Sequence, residues 1–157
     1  MTRLTLERIT PTVATITRRF AAPPERLFEA HVTPSLAQAW LLGPEGWVMP
    51  LCQSDARPGG LIHYLWQNPE TGEEFSLTGE YLVIDRPYRI IHIERMHLPD
   101  PTPDNRIETH FAPDNGGTLM VMTMTLPNAD ALEAVLATGA TEGMEISYQR
   151  LETLLSD

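Results

Sequence analysis

At 157 residues with 42% hydrophobic side chains, the chain is sized for one domain over residues 1–157 with a substantial core, and global disorder is excluded. Eleven basic against 21 acidic residues leave a formal net charge of −10, which opposes phosphate backbones and anionic membrane surfaces and argues against nucleic acid as a partner. The same charge serves solubility without implying any ligand.

The opening segment, residues 1–10, has no apolar core of the roughly 7–15 residues that a secretory signal needs. No run approaches the ~18 apolar residues of a membrane span, so no span and a cytoplasmic location are expected. Residues 13–20 alternate as a strand, with Ala14, Ile16, Arg18 and Phe20 on one face and Thr15, Thr17 and Arg19 on the other. Ala21-Ala22-Pro23-Pro24 stops it. Pro24 suits a first helical turn, where its missing N–H costs nothing, and Glu25 complements the positive helix end. This predicts a helix to about Val32, with Leu27, Phe28 and His31 grouped. Thr33 then caps a second short helix with Pro34 in its first turn and Leu36, Trp40 and Leu41 as its buried stripe; Gly43, Pro44 and Gly46 end it.

From Trp47 the pattern changes to strands, predicted over residues 47–54, 61–67, 75–84, 89–96, 106–112 and 118–126. Turn sequences at 57–60, 68–72, 85–87 and 114–117 separate them, which makes an antiparallel meander. The one cysteine, Cys52, excludes an intrachain disulfide and a multi-cysteine zinc site, and fits a small buried residue in a reducing compartment. Residues 98–104 hold three prolines and two aspartates and read as a mobile loop. A long helix over about 130–155 closes the chain, capped by Asn128 or Asp130, with Leu132, Val135, Leu136, Met144, Ser147, Tyr148, Leu151, Leu154 and Leu155 on one broad stripe. Gly139 and Gly143 interrupt it at ~1 kcal/mol each. They mark a kink or two consecutive helices, or else a close approach to the sheet or room for a ligand.

This order resembles the helix-grip superfamily (SRPBCC) of START lipid-transfer domains, birch-pollen allergens and polyketide cyclases, and within it the branch named after activators of the heat-shock protein 90 ATPase. The similarity runs through Phe20 to His31, Leu36 to Trp40 with Gly43-Pro44, Asp55 to Gly60, Gly79-Glu80-Tyr81, Gly117-Thr118, and Gly143 to Leu155. One departure is Met144, where the family often has Trp after the glycine. The resemblance implies an α+β helix-grip fold, β-α-α-β6-α, in which a curved antiparallel seven-stranded sheet wraps the long C-terminal helix around an apolar pocket.

Within such a grip, period-two alternation assigns inward faces. Met120, Met122 and Met124 form an adaptable wall with Leu126. Ile62, Tyr64 and Trp66, then Ile107, Thr109 and Phe111, add two further strand faces, and Phe28, Trp40, Met144 and Tyr148 contribute from helices. Plain core packing accounts for the same pattern. In residues 89–96, hydrophobicity turns Ile91 and Ile93 inward, whereas the family-like register turns Ile90, His92, Glu94 and Met96 inward. In that second register His92 and Glu94 orient a ligand, or act as an acid–base pair assisted by Tyr148. An inward Glu94 would need His92, Arg18 or a ligand beside it.

His31, His63, His92, His97 and His110 lack metal-ligand spacing, and no hydrolase, phosphate-loop or dinucleotide motif occurs, so neither metal nor cofactor is expected. Three functions follow as expectations. The first is binding or carriage of a small hydrophobic or amphipathic molecule, lipids included. The second is a cyclase or dehydratase acting on a bound aromatic or polyketide. The third is a co-chaperone-like module with a protein partner or a second copy of itself in a homodimer, which would need an exposed patch.

Overall fold

The computed structural model describes residues 3–98 and 101–156. Eight strands and four helices follow in the order β1 (Thr5–Thr10), β2 (Val13–Phe20), α1 (Pro24–Val32), α2 (Pro34–Trp40), β3 (Val48–Ser54), β4 (Leu61–Gln67), β5 (Glu74–Asp85), β6 (Arg89–His97), β7 (Asn105–Asp114), β8 (Gly117–Thr125), α3 (Ala129–Ala137) and α4 (Ala140–Leu154). The strands form one antiparallel sheet of order β1-β2-β8-β7-β6-β5-β4-β3, so β2 closes onto β8 and the β3–β8 meander runs outward from there. Register shifts in β1, β3 and β5 bend the sheet. At Gly79 a Cβ would lie 2.4 Å from the Ile93 carbonyl oxygen, so only glycine lets β5 run that close to β6.

Two expectations are corrected. The sheet has eight strands among the described residues, not seven, because Thr5–Thr10 pairs with β2. All six of its residues are exposed, so no buried face marks it in the sequence; backbone pairing with β2 makes it a strand. The single long C-terminal helix is two helices, since Gly139 takes φ +73° and breaks the hydrogen-bonded path between α3 and α4. Asn128 caps α3, its side chain accepting from the Ala131 N–H at 2.8 Å. Gly143 instead rests against Pro44, 3.6 Å from where a Cβ would stand, at the loop after α2.

The loop 98–104 is tied at its described ends. Pro101 bridges His97, the Thr102 N–H donates to the Met96 carbonyl at 2.8 Å, and Arg95 pairs with Asp104. Pro99 and Asp100 lie outside the described residues. The core fills the concave side. Ala14, Ile16 and Phe20 from β2 and Met120, Met122 and Met124 from β8 meet Leu27 and Phe28 of α1, Trp40 of α2, and Tyr148 and Leu151 of α4. Inside this apolar layer, Arg18 of β2 (3% exposed) pairs with Glu145 of α4 (1% exposed) through two 3.1 Å contacts and reaches Glu152 at 3.2 Å. Glu145 also accepts the Leu4 N–H at 2.7 Å, which ties the N-terminal edge to the last helix.

Candidate functional site

Residues opposite one another in an antiparallel pair share a sheet face. His92 stands opposite Tyr81 and Ile107, both buried in the core, and Glu94 stands opposite Gly79 and Asn105. β6 therefore turns Ile90, His92, Glu94 and Met96 inward. Ile91 is as buried as Ile90 but lies outside the core cluster. The expectation from hydrophobicity, which turns Ile91 and Ile93 inward, is corrected here: Ile91 is buried outside the core cluster, and β6 takes the register that the family resemblance implies.

His92 Nε2 lies 2.9 Å from Glu94 Oε1. Although both side chains point inward, 17% of His92 and 21% of Glu94 stay open to solvent. Water thus reaches the concave face at this end of the grip. Two buried polar atoms here have no hydrogen-bond partner, His92 Nδ1 and Asn105 Oδ1. Such atoms are rare in folded proteins because each loses its water without replacement.

A second polar group lies across the same face. Ser54 Oγ and the Tyr81 hydroxyl are 2.6 Å apart, the Tyr64 hydroxyl approaches Tyr81, and the edge of the Tyr81 ring faces His92. Burial, reinforced by the neighbouring Tyr81, Cys52 and Glu94 side chains, pushes the Tyr64 hydroxyl far up. Burial also raises Tyr81, against the opposing effect of Ser54, and pushes the half-buried Cys52 thiol up to about 11. These groups stay protonated at neutral pH and act as hydrogen-bonding neutral surfaces. A solvent-open depression of about 480 Å³ at the β3–β4 turn shares Ser54 with this chain but is otherwise lined by Gln53, Asp55, Arg57, Gly59 and Leu61, with no convergence of buried polar atoms.

The other predicted residues divide between this open end and a packed one. Toward this end Ile62, Tyr64, Trp66, Thr109, Met122 and Met124 are buried at 3–9% exposure, with Met144 half-buried beside the core. Phe28, Trp40, Phe111, Met120 and Tyr148 are fully buried at the packed end. There Trp40 stacks on Tyr148 at 5.9 Å, Tyr148 meets the Phe20 edge at 5.6 Å, and Phe28 meets Phe111 at 6.0 Å. Tyr148 is close enough for Glu94 to act on it through space, while burial chiefly raises its hydroxyl. No group of three histidine, cysteine, aspartate or glutamate side chains converges on a metal position among the described residues.

Sequence reasoning passed over Asn105, Tyr81 and Ser54. Tyr81 had a signal, since Phe75, Leu77, Gly79 and Tyr81 alternate along one strand. Asn105 stood one residue before the predicted strand, and only its pairing with Glu94 places it in the cluster.

His31 links the two ends. Its Nδ1 lies 2.7 Å from the Leu27 carbonyl, and its ring abuts Trp40 and Phe111 at 4.9 and 5.0 Å. Burial lowers it to about 4, the Leu27 carbonyl opposing and His92 adding to the shift. Between its ordinary 6.5 and about 4, the unfolded chain binds more protons than the folded one. This contribution is therefore complete above 6.5 and lost as pH falls. Urea midpoints should drop by the equivalent of about 2 kcal/mol from pH 7 to 5, and His31→Leu should flatten that dependence; an unchanged slope in the variant would assign the loss elsewhere.

The profile of the family described as Activator of Hsp90 ATPase homolog 1-like protein matches residues 21–156. Among solved structures, a Rhodobacter sphaeroides protein is 31% identical, with TM-score 0.91 and 98% of both chains covered. A Mycobacterium smegmatis protein is 26% identical, with TM-score 0.85 over 97% of this chain and 96% of its own. One from Chromobacterium violaceum is 25% identical, with TM-score 0.79 over 94% and 99%. No curated protein matches the chain.

Proposed function

The chain belongs to the family of Activator of Hsp90 ATPase homolog 1-like proteins, and from that premise we propose that it binds a small amphipathic molecule against the inner sheet face, polar end toward His92, Glu94 and Asn105. One observation carries the reading: inward-facing polar side chains that solvent still reaches, two of them with buried atoms lacking partners. A ligand's polar group supplies the missing hydrogen bonds, and its apolar body lies on Met96, Met122 and Met124, whose flexible thioethers tolerate varied shapes.

Titration of the delipidated protein with an environment-sensitive hydrophobic dye should give saturable one-site binding, and native mass spectrometry of undelipidated protein should show a bound mass. Met122→Trp should abolish dye binding while costing about 1–3 kcal/mol through overpacking. No saturable binding by the folded wild type would reject the reading.

The 2.9 Å contact between His92 and Glu94 favours a second reading, a cyclase or dehydratase using that pair as acid and base. Turnover of a bound aromatic polyketide, lost in Glu94→Gln with binding retained, would establish it. A co-chaperone role has less support: the exposed large apolar residues Leu6, Ile9, Val48, Leu61, Leu82, Tyr88 and Leu98 are spread over β1, β3, β4, β5 and two loops.

A further inference from the structure

We infer that the polar end of the site takes an uncharged hydrogen-bond donor such as a hydroxyl and turns away carboxylates and phosphates; this rests on the binding reading above. A carboxylate only accepts, so with Glu94 Oε1 2.9 Å away, His92 Nε2 carries the proton. In the neutral ring that leaves Nδ1 as a bare lone pair, and Nδ1 is one of two buried side-chain atoms without a partner among the described residues. The other, Asn105 Oδ1, also accepts. Asn105 is the direct cross-strand partner of Glu94, and His92 is diagonal to it on the neighbouring strand, so the two acceptors face one region. The unmet demand is for donors.

An anion would find each nearby arginine already beside a carboxylate. The chain contains no lysine, and all eleven basic residues are arginines. Arg18 on the inner face is engaged by Glu145 and Glu152, and Arg86, near enough to act on Tyr81, pairs with Glu29 and lies over the Phe28 ring. Arg89, Arg95 and Arg106 on the adjacent strands pair with Asp85, Asp104 and Glu108. A ligand carboxylate would therefore meet the Glu94 carboxylate and two acceptor lone pairs, a repulsive set in a partly desolvated place.

The test uses the full chain and dye displacement by three compounds of similar size: a naphthalenediol, its dimethyl ether and a naphthoic acid. The diol should displace dye at about tenfold lower concentration than either other compound. Asn105→Leu should erase most of that preference, and Glu94→Gln should improve the acid. Nitrogen-15 NMR of the free protein should find His92 protonated at Nε2. Displacement by the ether or the acid as effective as by the diol, with dye binding intact, would overturn the donor assignment and leave ligand binding standing, as would protonation at Nδ1. Absence of dye binding would overturn both.

Discussion

Replacing Arg18 with methionine is expected to destabilise the protein by about 3–5 kcal/mol, read as a lowered urea midpoint with little change in slope. Methionine keeps most of the side-chain volume, so the loss isolates charge from packing. What remains is the Glu145 carboxylate, 1% exposed, held by the Leu4 N–H at 2.7 Å and Gln149 at 3.1 Å. A buried charge stripped of its partner costs several kcal/mol, whereas an ion pair replaced whole by apolar groups of similar size costs little. The double variant, Arg18→Met with Glu145→Met, should therefore recover most of the stability. A single-variant loss below about 1 kcal/mol would mean that water reaches the pair.

The pair also has a pH signature. Burial works to raise the Glu145 carboxyl, but Arg18, the Leu4 N–H and Gln149 together hold it below its ordinary 4.5. Its contribution is complete above that value and lost as pH falls through the lowered one. The His31 loss, which runs from 6.5 to about 4, begins at higher pH than this acid loss, and His31→Leu removes it and leaves the Glu145 effect alone.

Trp40→Ala should cost about 3–5 kcal/mol, and Trp40→Phe appreciably less. The indole is 1% exposed, stacks on Tyr148, and donates its Nε1–H to the Ala30 carbonyl at 2.8 Å. Truncation empties the junction where α1, α2 and α4 meet and leaves that carbonyl without its donor. Where Trp40→Ala remains folded, it should still bind dye, because the open end of the grip lies at His92 and Glu94. The contrast with Met122→Trp distinguishes a residue that holds the domain together from one that occupies the ligand's place.

Much of the architecture was legible because it is written locally. The Pro24 and Pro34 helix starts and the turns at 57–60, 68–72 and 114–117 depend on a few neighbouring residues. So do the alternations along β2, β4 and β8. Gly139 was legible as an interruption, but whether a glycine bends a helix or divides it depends on the φ it adopts, here +73°. β1 left no trace, since an edge strand exposed along its whole length needs a partner and not a pattern.

The site was half legible for the same reason. The methionine row, Tyr64 and the pair His92 and Glu94 were readable as candidates from their spacing in single strands. Which face β6 turns inward was not, because Ile90 and Ile91 are both buried. The cluster of Ser54, Tyr64, Tyr81, His92, Glu94 and Asn105 draws on five strands, β3 to β7, and exists only through their mutual register. Alternation within a strand is a property of the chain's own stereochemistry, and so the sequence by itself determined the elements and their candidate faces. Register between strands depends on turns, bulges and the packing of helices against the finished sheet, and so the tertiary structure alone decided which polar atoms meet and which two were left without partners.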